Sequence, residues 1–425
     1  MADLRPEAIT WYADASAPPP EGGVLLIGGY QGYANFGDVL QVKGVARWHR
    51  EVTGLEPVPA LSMTAVADAA FGDRLRSWLG VRHLVYWSER PLDAASIGLT
   101  ELRRAPRVPH LHVFGGECLT LRWGGVFLAL IESAHERFGV GHYVVSGQQA
   151  EAAAVPRLRA HFDRRPPVLA GGRDPESVDH LAAAGARAEH SFDDALEAMD
   201  RIVAKAGGGT SRPSLLVHLN TSYYAQPEPQ GDGGDRRALA RDLADLRRDT
   251  TPADEIVVLH AFDDRRVEEI TDALGTVVEL EDDFPFAAYR VVNLARLALA
   301  ADDDPPAATL PASAPLAYAC SYHVTLLCAV LGIPCFLRAR NRYYRQKRAG
   351  LGLPPQATLR PFLERPEGPS LGPQRRARAA WLERLAAAYS RPAVDRRPRE
   401  AAAAAGPVAP WRPKPGIGEL RARRR

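Results

Sequence analysis

At 425 residues the chain is long enough for two domains with full cores, and 46% hydrophobic with 24% charged residues is the balance of a soluble globular protein. A formal net charge of +2 gives no global footprint for nucleic acid or a membrane surface, so neither is expected as a partner. The opening MADLRPEAITWYADASAPPP lacks a basic-then-apolar signal pattern and no apolar run approaches a membrane span, so no integral membrane segment and a cytoplasmic location are expected.

Residues 1–21 are proline-rich and read as a flexible leader. From Val24 to Gly28 an apolar run without helical period predicts a buried strand. It breaks at Gly28, Gly29 and Gly32, passes through Asn35-Phe36-Gly37-Asp38, and enters a helix marked by Val39, Leu40, Val42, Val45 and Ala46. A strand, a glycine-rich turn and a helix start make an anion site, because glycines admit a ligand to the backbone and N–H groups face it. The turn is neither G-x-G-x-x-G nor a P-loop. An ordinary strand-to-helix turn with Asp38 as N-cap is the other reading of the same residues.

Further strands are predicted at 83–87, 110–114 and 142–146, with a helix through Val126, Leu128, Leu130, Ile131 and Ala134. This βαβ rhythm predicts a parallel sheet with helices on both faces. FDRRPPVL at 161–168 has linker character. A second α/β rhythm follows, with strands near 168–170, 214–219, 256–260, 276–280, 316–320 and 334–338, interrupted by polar loops at 225–236 and 301–315. A helix over 372–390 is expected to return to the first domain, and 391–425 to form a disordered basic tail. The expected architecture is therefore α/β. Two doubly wound parallel-sheet (Rossmann-like) domains, 22–163 and 168–360, face a central cleft in a glycosyltransferase-B-like layout. Cys118, Cys320, Cys328 and Cys335 lack zinc-ligand spacing and lie in apolar segments, as small buried hydrophobes would.

Three more stretches follow predicted strands. Gly115-Gly116-Glu117 ends one strand; Arg173-Asp174-Pro175 with Ser177, and later Asp193-Asp194, follows another; Ser321-Tyr322-His323 opens a helix before a basic run. In this order and spacing, with the Asn35–Asp38 turn, they resemble the polysaccharide pyruvyl transferase family over roughly residues 24–353. The chain departs from that pattern at Glu117, where the family has a third glycine, at Ser321, where it has an arginine, and at Ala319, where it has a serine.

The resemblance implies transfer of a pyruvyl group from phosphoenolpyruvate to two hydroxyls of a sugar or glycan acceptor, with phosphate released and no cofactor beyond the donor substrate. Such chemistry needs a general acid at the enol carbon, a base at the attacking hydroxyl, and cations on carboxylate and phosphate. His323, with an unperturbed pKa near neutrality, is the acid/base candidate; a helix-start histidine bonded to backbone is the alternative. Glu117 and Asp38 are the other candidates for proton transfer. Asn35, Gly37, Gly115, Gly116, Ser177 and Ser321 would line the substrate site. Arg173 suits bidentate anion recognition, and Arg338, Arg340 or Lys347 would replace the family arginine. No His, Asp or Glu set has metal spacing, so no metal is expected. A homo-oligomer is compatible with this reading. A glycosyltransferase using a nucleotide sugar, and a non-catalytic binding member of the fold, are the competing readings.

Overall fold

The computed structural model describes residues 9–14, 17, 22–30, 35–61, 80, 82–87, 98–102, 106–209, 214–219, 234–249, 255–261, 289–300, 309–311, 314–339, 341–354 and 358–390. They form two doubly wound α/β sheets, of nine and five strands, and a two-stranded ribbon. The first sheet contains β1 (Ile9–Ala13), β2 (Val24–Ile27), β3 (Pro57–Leu61), β4 (His83–Trp87), β5 (Thr100–Glu101), β6 (His110–Val113), β7 (His142–Gln148), β8 (Leu169–Gly172) and β9 (Ala188–His190). Its order is β5-β1-β4-β3-β2-β6-β7-β8-β9. Neighbours from β4 through β9 are parallel, and β1 and β5 add an antiparallel edge. Helices α1 (Phe36–Trp48), α2 (Gly124–Phe138), α3 (Val155–Arg164), α4 (Pro175–Ala183) and α5 (Leu196–Ala206) accompany it.

A short parallel ribbon joins β10 (Gly207–Gly209) to a later strand at Leu310–Pro311, which is β14. The second sheet contains β11 (Ser214–His218), β12 (Glu255–His260), β13 (Tyr289–Asn293), β15 (Ala317–Ala319) and β16 (Cys335–Leu337). All its pairs are parallel, in the order β13-β12-β11-β15-β16. Its helices are α6 (Gly234–Asp249), α7 (Leu294–Leu299), α8 (Tyr322–Val330), α9 (Arg342–Gly350) and α10 (Leu359–Glu364); α11 (Gly372–Tyr389) ends the described chain.

Two expectations need correction, and one further strand joins the first sheet. The leader is not uniformly loose: Ile9, Trp11 and Ala13 are buried, and β1 pairs along its length with β4. Aromatic residues with β propensity supply that strand despite the prolines beyond it. Pro57–Leu61, whose two prolines disguise a strand, forms β3 beside β2. The first sheet also does not stop near 163, because β8 pairs with β7 and β9 with β8. The 161–168 stretch is the end of α3 and a turn inside one sheet. The strand expected at 276–280, the tail 391–425 and most of the two polar loops lie outside the described residues.

Helix α1 is the seam between the sheets. Phe36, Val39 and Val42 share one apolar cluster with Leu294 and Ala298 of α7 and with Tyr322 and Leu326 of α8. Phe36 N–H donates to the Ala261 carbonyl at 2.7 Å, and Lys43 Nζ donates to Ala298 and Ala300. Helix α11 returns to the first sheet, burying Trp381 and Leu385 against Val144 and Leu169.

Candidate functional site

Strand order reverses at β2/β6 in one sheet and at β11/β15 in the other, and ligand crevices form at such reversals. The α1 start follows β2, the Gly115 turn follows β6, and His323 opens α8 after β15. These segments meet. A Cβ at Gly37 would fall 1.8 Å from His323 Nδ1, and one at Gly115 would fall 2.4 Å from the Gln41 side chain. Gly115 and Gly116 have φ of 42° and 80°, the left-handed region that favours glycine.

His323 Nε2 lies 3.5 Å from Asp193 Oδ2 and 3.3 Å from Gln41 Nε2. Gln41 also donates to both Asp193 oxygens at 3.3 Å. Arg173, just past β8, is fully buried, and its Nε pairs with Asp193 Oδ2 at 3.0 Å while donating to the Gly147 carbonyl. The guanidinium stacks 4.9 Å from the Tyr322 ring, and its Nη1 and Nη2 are buried without a hydrogen-bond partner among the described residues. Burial alone would raise the Asp193 carboxyl, but Arg173 and then His323 hold it well below the carboxylate range. Phe192, immediately before it, has a left-handed φ of 54°, a local strain that aims Asp193 inward.

On the other side, Lys347 of α9 places Nζ 3.5 Å from Glu117 Oε1 and 3.8 Å from the centre of the Tyr343 ring. It also hydrogen-bonds the Tyr343 hydroxyl, and Tyr322 and Tyr344 complete an aromatic collar. Burial lowers the Lys347 ammonium to about 8, with Glu117 opposing the shift. Asp38 stands in the first turn of α1 against Gly29, where a Cβ would lie 3.0 Å from Oδ1. Burial raises its carboxyl, His323 and Lys347 lower it, and Glu117 adds to the rise. The arrangement combines an imidazole between carboxylates, suited to moving protons, with two buried cations suited to an anion.

The structure thus gathers Gly37, Asp38, Gly115, Gly116, Glu117, Arg173, His323 and Lys347. It assigns other expected site residues elsewhere. Asn35, not Asp38, is the α1 cap, its Oδ1 accepting from Gly37 N at 3.0 Å. Ser177 is enclosed by bonds to Asp174, Ala150 and Gln346, so its hydroxyl serves the α4 start and not a ligand. Ser321 takes the α8 cap position without a side-chain cap bond. Arg338 turns to the opposite face, where its Nε pairs with Asp242 of α6 at 3.3 Å. Arg340 lies outside the described residues.

Gln41, Asp193 and Tyr322 are the site residues to which the sequence reading gave no role. Gln41 follows Gly37 by one helical turn, which puts both on the same face of α1. Among the described residues no group of three or more metal-capable side chains is gathered. No described helix is long and apolar enough to cross a membrane.

No family model matches the sequence. No curated protein matches it either. Several solved structures are similar. UDP-GlcNAc 2-epimerase from Neisseria meningitidis, bound to UDP-GlcNAc, aligns over 86% of this chain and 95% of its own, at 9% identity and a TM-score of 0.41. UDP-GlcNAc 2-epimerase from Methanocaldococcus jannaschii covers 78% of this chain and 87% of its own, at 11% identity and 0.35. E. coli ADP-heptose lps heptosyltransferase II covers 74% and 83%, at 11% identity and 0.32. Likenesses this distant assign no activity.

Proposed function

We propose that this chain is an enzyme of the polysaccharide pyruvyl transferase kind, moving a pyruvyl group from phosphoenolpyruvate onto two hydroxyls of a sugar or glycan. The observation that carries this reading is Arg173, a buried guanidinium whose Nη groups have no hydrogen-bond partner among the described residues, in one electrostatic cluster with Lys347. Arg173 pairs with Asp193 through Nε and Lys347 with Glu117, so the two Nη groups are what a compact, multiply charged anion would engage, and phosphoenolpyruvate offers a carboxylate and a phosphate.

In this mechanism His323 gives a proton to the methylene carbon of the enol, leaving an oxocarbenium at the adjacent carbon. One acceptor hydroxyl adds there and passes its proton to a carboxylate, with Asp38 or Glu117 as the base. The second hydroxyl oxygen then forms the other ketal bond as the carbon–oxygen bond to phosphate breaks, and its proton leaves with the phosphate. Protons balance over the cycle: the two hydroxyls give up two, one ending in the new methyl group and one on phosphate, because the carboxylate returns its proton to His323 before the next turnover.

Calorimetry with phosphoenolpyruvate and with nucleoside diphosphate sugars, followed by phosphate-release assays on vicinal-diol acceptors, tests the proposal. Donor binding and ketal formation are expected, with His323→Ala lowering phosphate release about 10²–10⁴-fold. Binding of a nucleoside diphosphate but not phosphoenolpyruvate would replace this reading with a nucleotide-sugar glycosyltransferase.

A further inference from the structure

Asp194 points away from its neighbour Asp193, into the body of the first sheet. Its Oδ2 accepts from Gly115 N at 2.8 Å and from Ser146 Oγ at 2.7 Å, and its Oδ1 meets Arg378 Nη1 of α11 at 2.7 Å. Asp194 and Arg378 are both buried, at 1% and 4% exposure. The fit around Asp194 is close on other sides as well. A Cβ at Gly147 would lie 2.4 Å from Oδ2, and one at Gly44 would lie 2.5 Å from the Asp194 carbonyl oxygen.

The hydrogen-bond directions behind it follow from donor counting. Ser146 spends its single proton on Asp194, so the 2.7 Å contact to His112 makes His112 Nε2 the donor. His112 Nδ1 then accepts from His49 Nε2 at 2.9 Å. This line is neutral, since burial holds His112 down to about 4 and lowers His49 as well. The charge that balances Asp194 comes from Arg378.

We propose that Arg378 is a positioning residue of the site, acting through Asp194 on the Gly115 turn and on the adjoining Asp193. The inference rests on the reading that ligand binds where Arg173 and His323 meet. Without Arg378, a buried carboxylate loses its counter-ion and must take up a proton or move. Either response weakens its bond to Gly115 N–H and disturbs the backbone that aims Asp193 at Arg173 and His323.

Glu197 supplies the discriminating control, because it accepts from Arg378 Nε at 2.9 Å and Nη2 at 3.0 Å without touching Asp194, while Nη1 also donates to the Ser191 carbonyl at 3.4 Å. Hydrogen exchange of the peptide containing Gly115 and calorimetric binding of phosphoenolpyruvate are measured on the full chain. Arg378→Met is expected to speed exchange at Gly115 about 10-fold or more and weaken binding about 10-fold, with Arg378→Lys recovering part of both. Glu197→Gln is expected to lower the melting temperature only. The proposal is overturned if Arg378→Met and Glu197→Gln change Gly115 exchange equally, or if neither changes it. Should Arg378→Met fail to fold, Arg378→Lys decides instead: faster Gly115 exchange than in Glu197→Gln is expected, and equal exchange in the two overturns the proposal. Failure of the unmodified chain to bind phosphoenolpyruvate would count against the pyruvyl reading alone, and exchange would still decide the role of Arg378.

Discussion

Gly37 and His323 come from opposite sheets and touch: the α1 backbone at Gly37 leaves so little room that a methyl group there would sit 1.8 Å from the imidazole Nδ1. The helix start meant to face a ligand is therefore also the surface that holds the acid/base candidate in place.

Gly37→Ala is consequently expected to destabilise the protein by about 1–3 kcal/mol, since overpacking outweighs the ~0.5–1 kcal/mol that alanine gains over glycine in a helix. It should also displace His323 from Asp193 and depress turnover. Chemical denaturation paired with a phosphate-release assay checks both. An unchanged midpoint and unchanged rate would mean that the two helices separate freely.

Anion binding should depend on pH through Lys347, whose ammonium titrates at about 8. The protonated form is the one that attracts an anion, so affinity for phosphoenolpyruvate is expected to hold below that value and to fall as pH rises through it. Lys347→Arg should flatten the profile, because a guanidinium stays charged throughout. Calorimetry from pH 6.5 to about 9.5 follows the change, and a profile of the same shape in Lys347→Arg would remove Lys347 from the ligand site.

Acid should weaken the fold in two stages. His110 and His112 are held down to about 4, chiefly by burial, and His49 and His142 are also lowered, in one cluster capped by the Tyr389 ring. The unfolded chain protonates these side chains near 6.5 while the native state does not, so stability drops as pH falls between those values. Each such histidine contributes a slope of about 1.4 kcal/mol per pH unit. The Asp193 contribution runs in the same direction but lower, present above the ordinary aspartate pKa of roughly 3.9 and lost beneath it. Urea unfolding at pH 7.5 and about 5 should show a smaller difference for His112→Gln than for the unmodified chain.

Arg338→Ala should lower stability and leave phosphoenolpyruvate affinity within twofold or so, because its guanidinium serves Asp242 on α6. Asp242 also accepts from the Tyr318 hydroxyl at 2.9 Å, so Asp242→Asn should reproduce the loss. A large fall in donor affinity for Arg338→Ala would place that side chain back in the cleft.

The α/β class and most of the strands were legible because buried parallel strands are continuous apolar runs, as in Val24–Ile27 and His83–Trp87. Strand β9, with only three half-buried residues, has no such signature. Its absence from the pattern hid both the extent of the first sheet and the role of Asp193 just beyond it. Gly37, Arg173 and His323 stood out because each follows a strand end. Asn35 and Ser177 each bond nearby backbone, because short polar side chains satisfy a helix start as readily as they meet a ligand. Arg338 could have been read correctly from alternation alone, since it continues the face of Phe336 and Tyr318 toward α6.

The return of α11 to the first sheet also sets an order of events during synthesis. Arg378 emerges 184 residues after Asp194. At ~5–20 residues per second that interval is about 10–40 s. Through it, the nascent first sheet carries an unneutralised carboxylate in its interior and an open seat for Trp381 beside Gly171. The part of the first sheet made early is completed by a helix made 184 residues later, so the site reaches its finished form only once α11 has been synthesised.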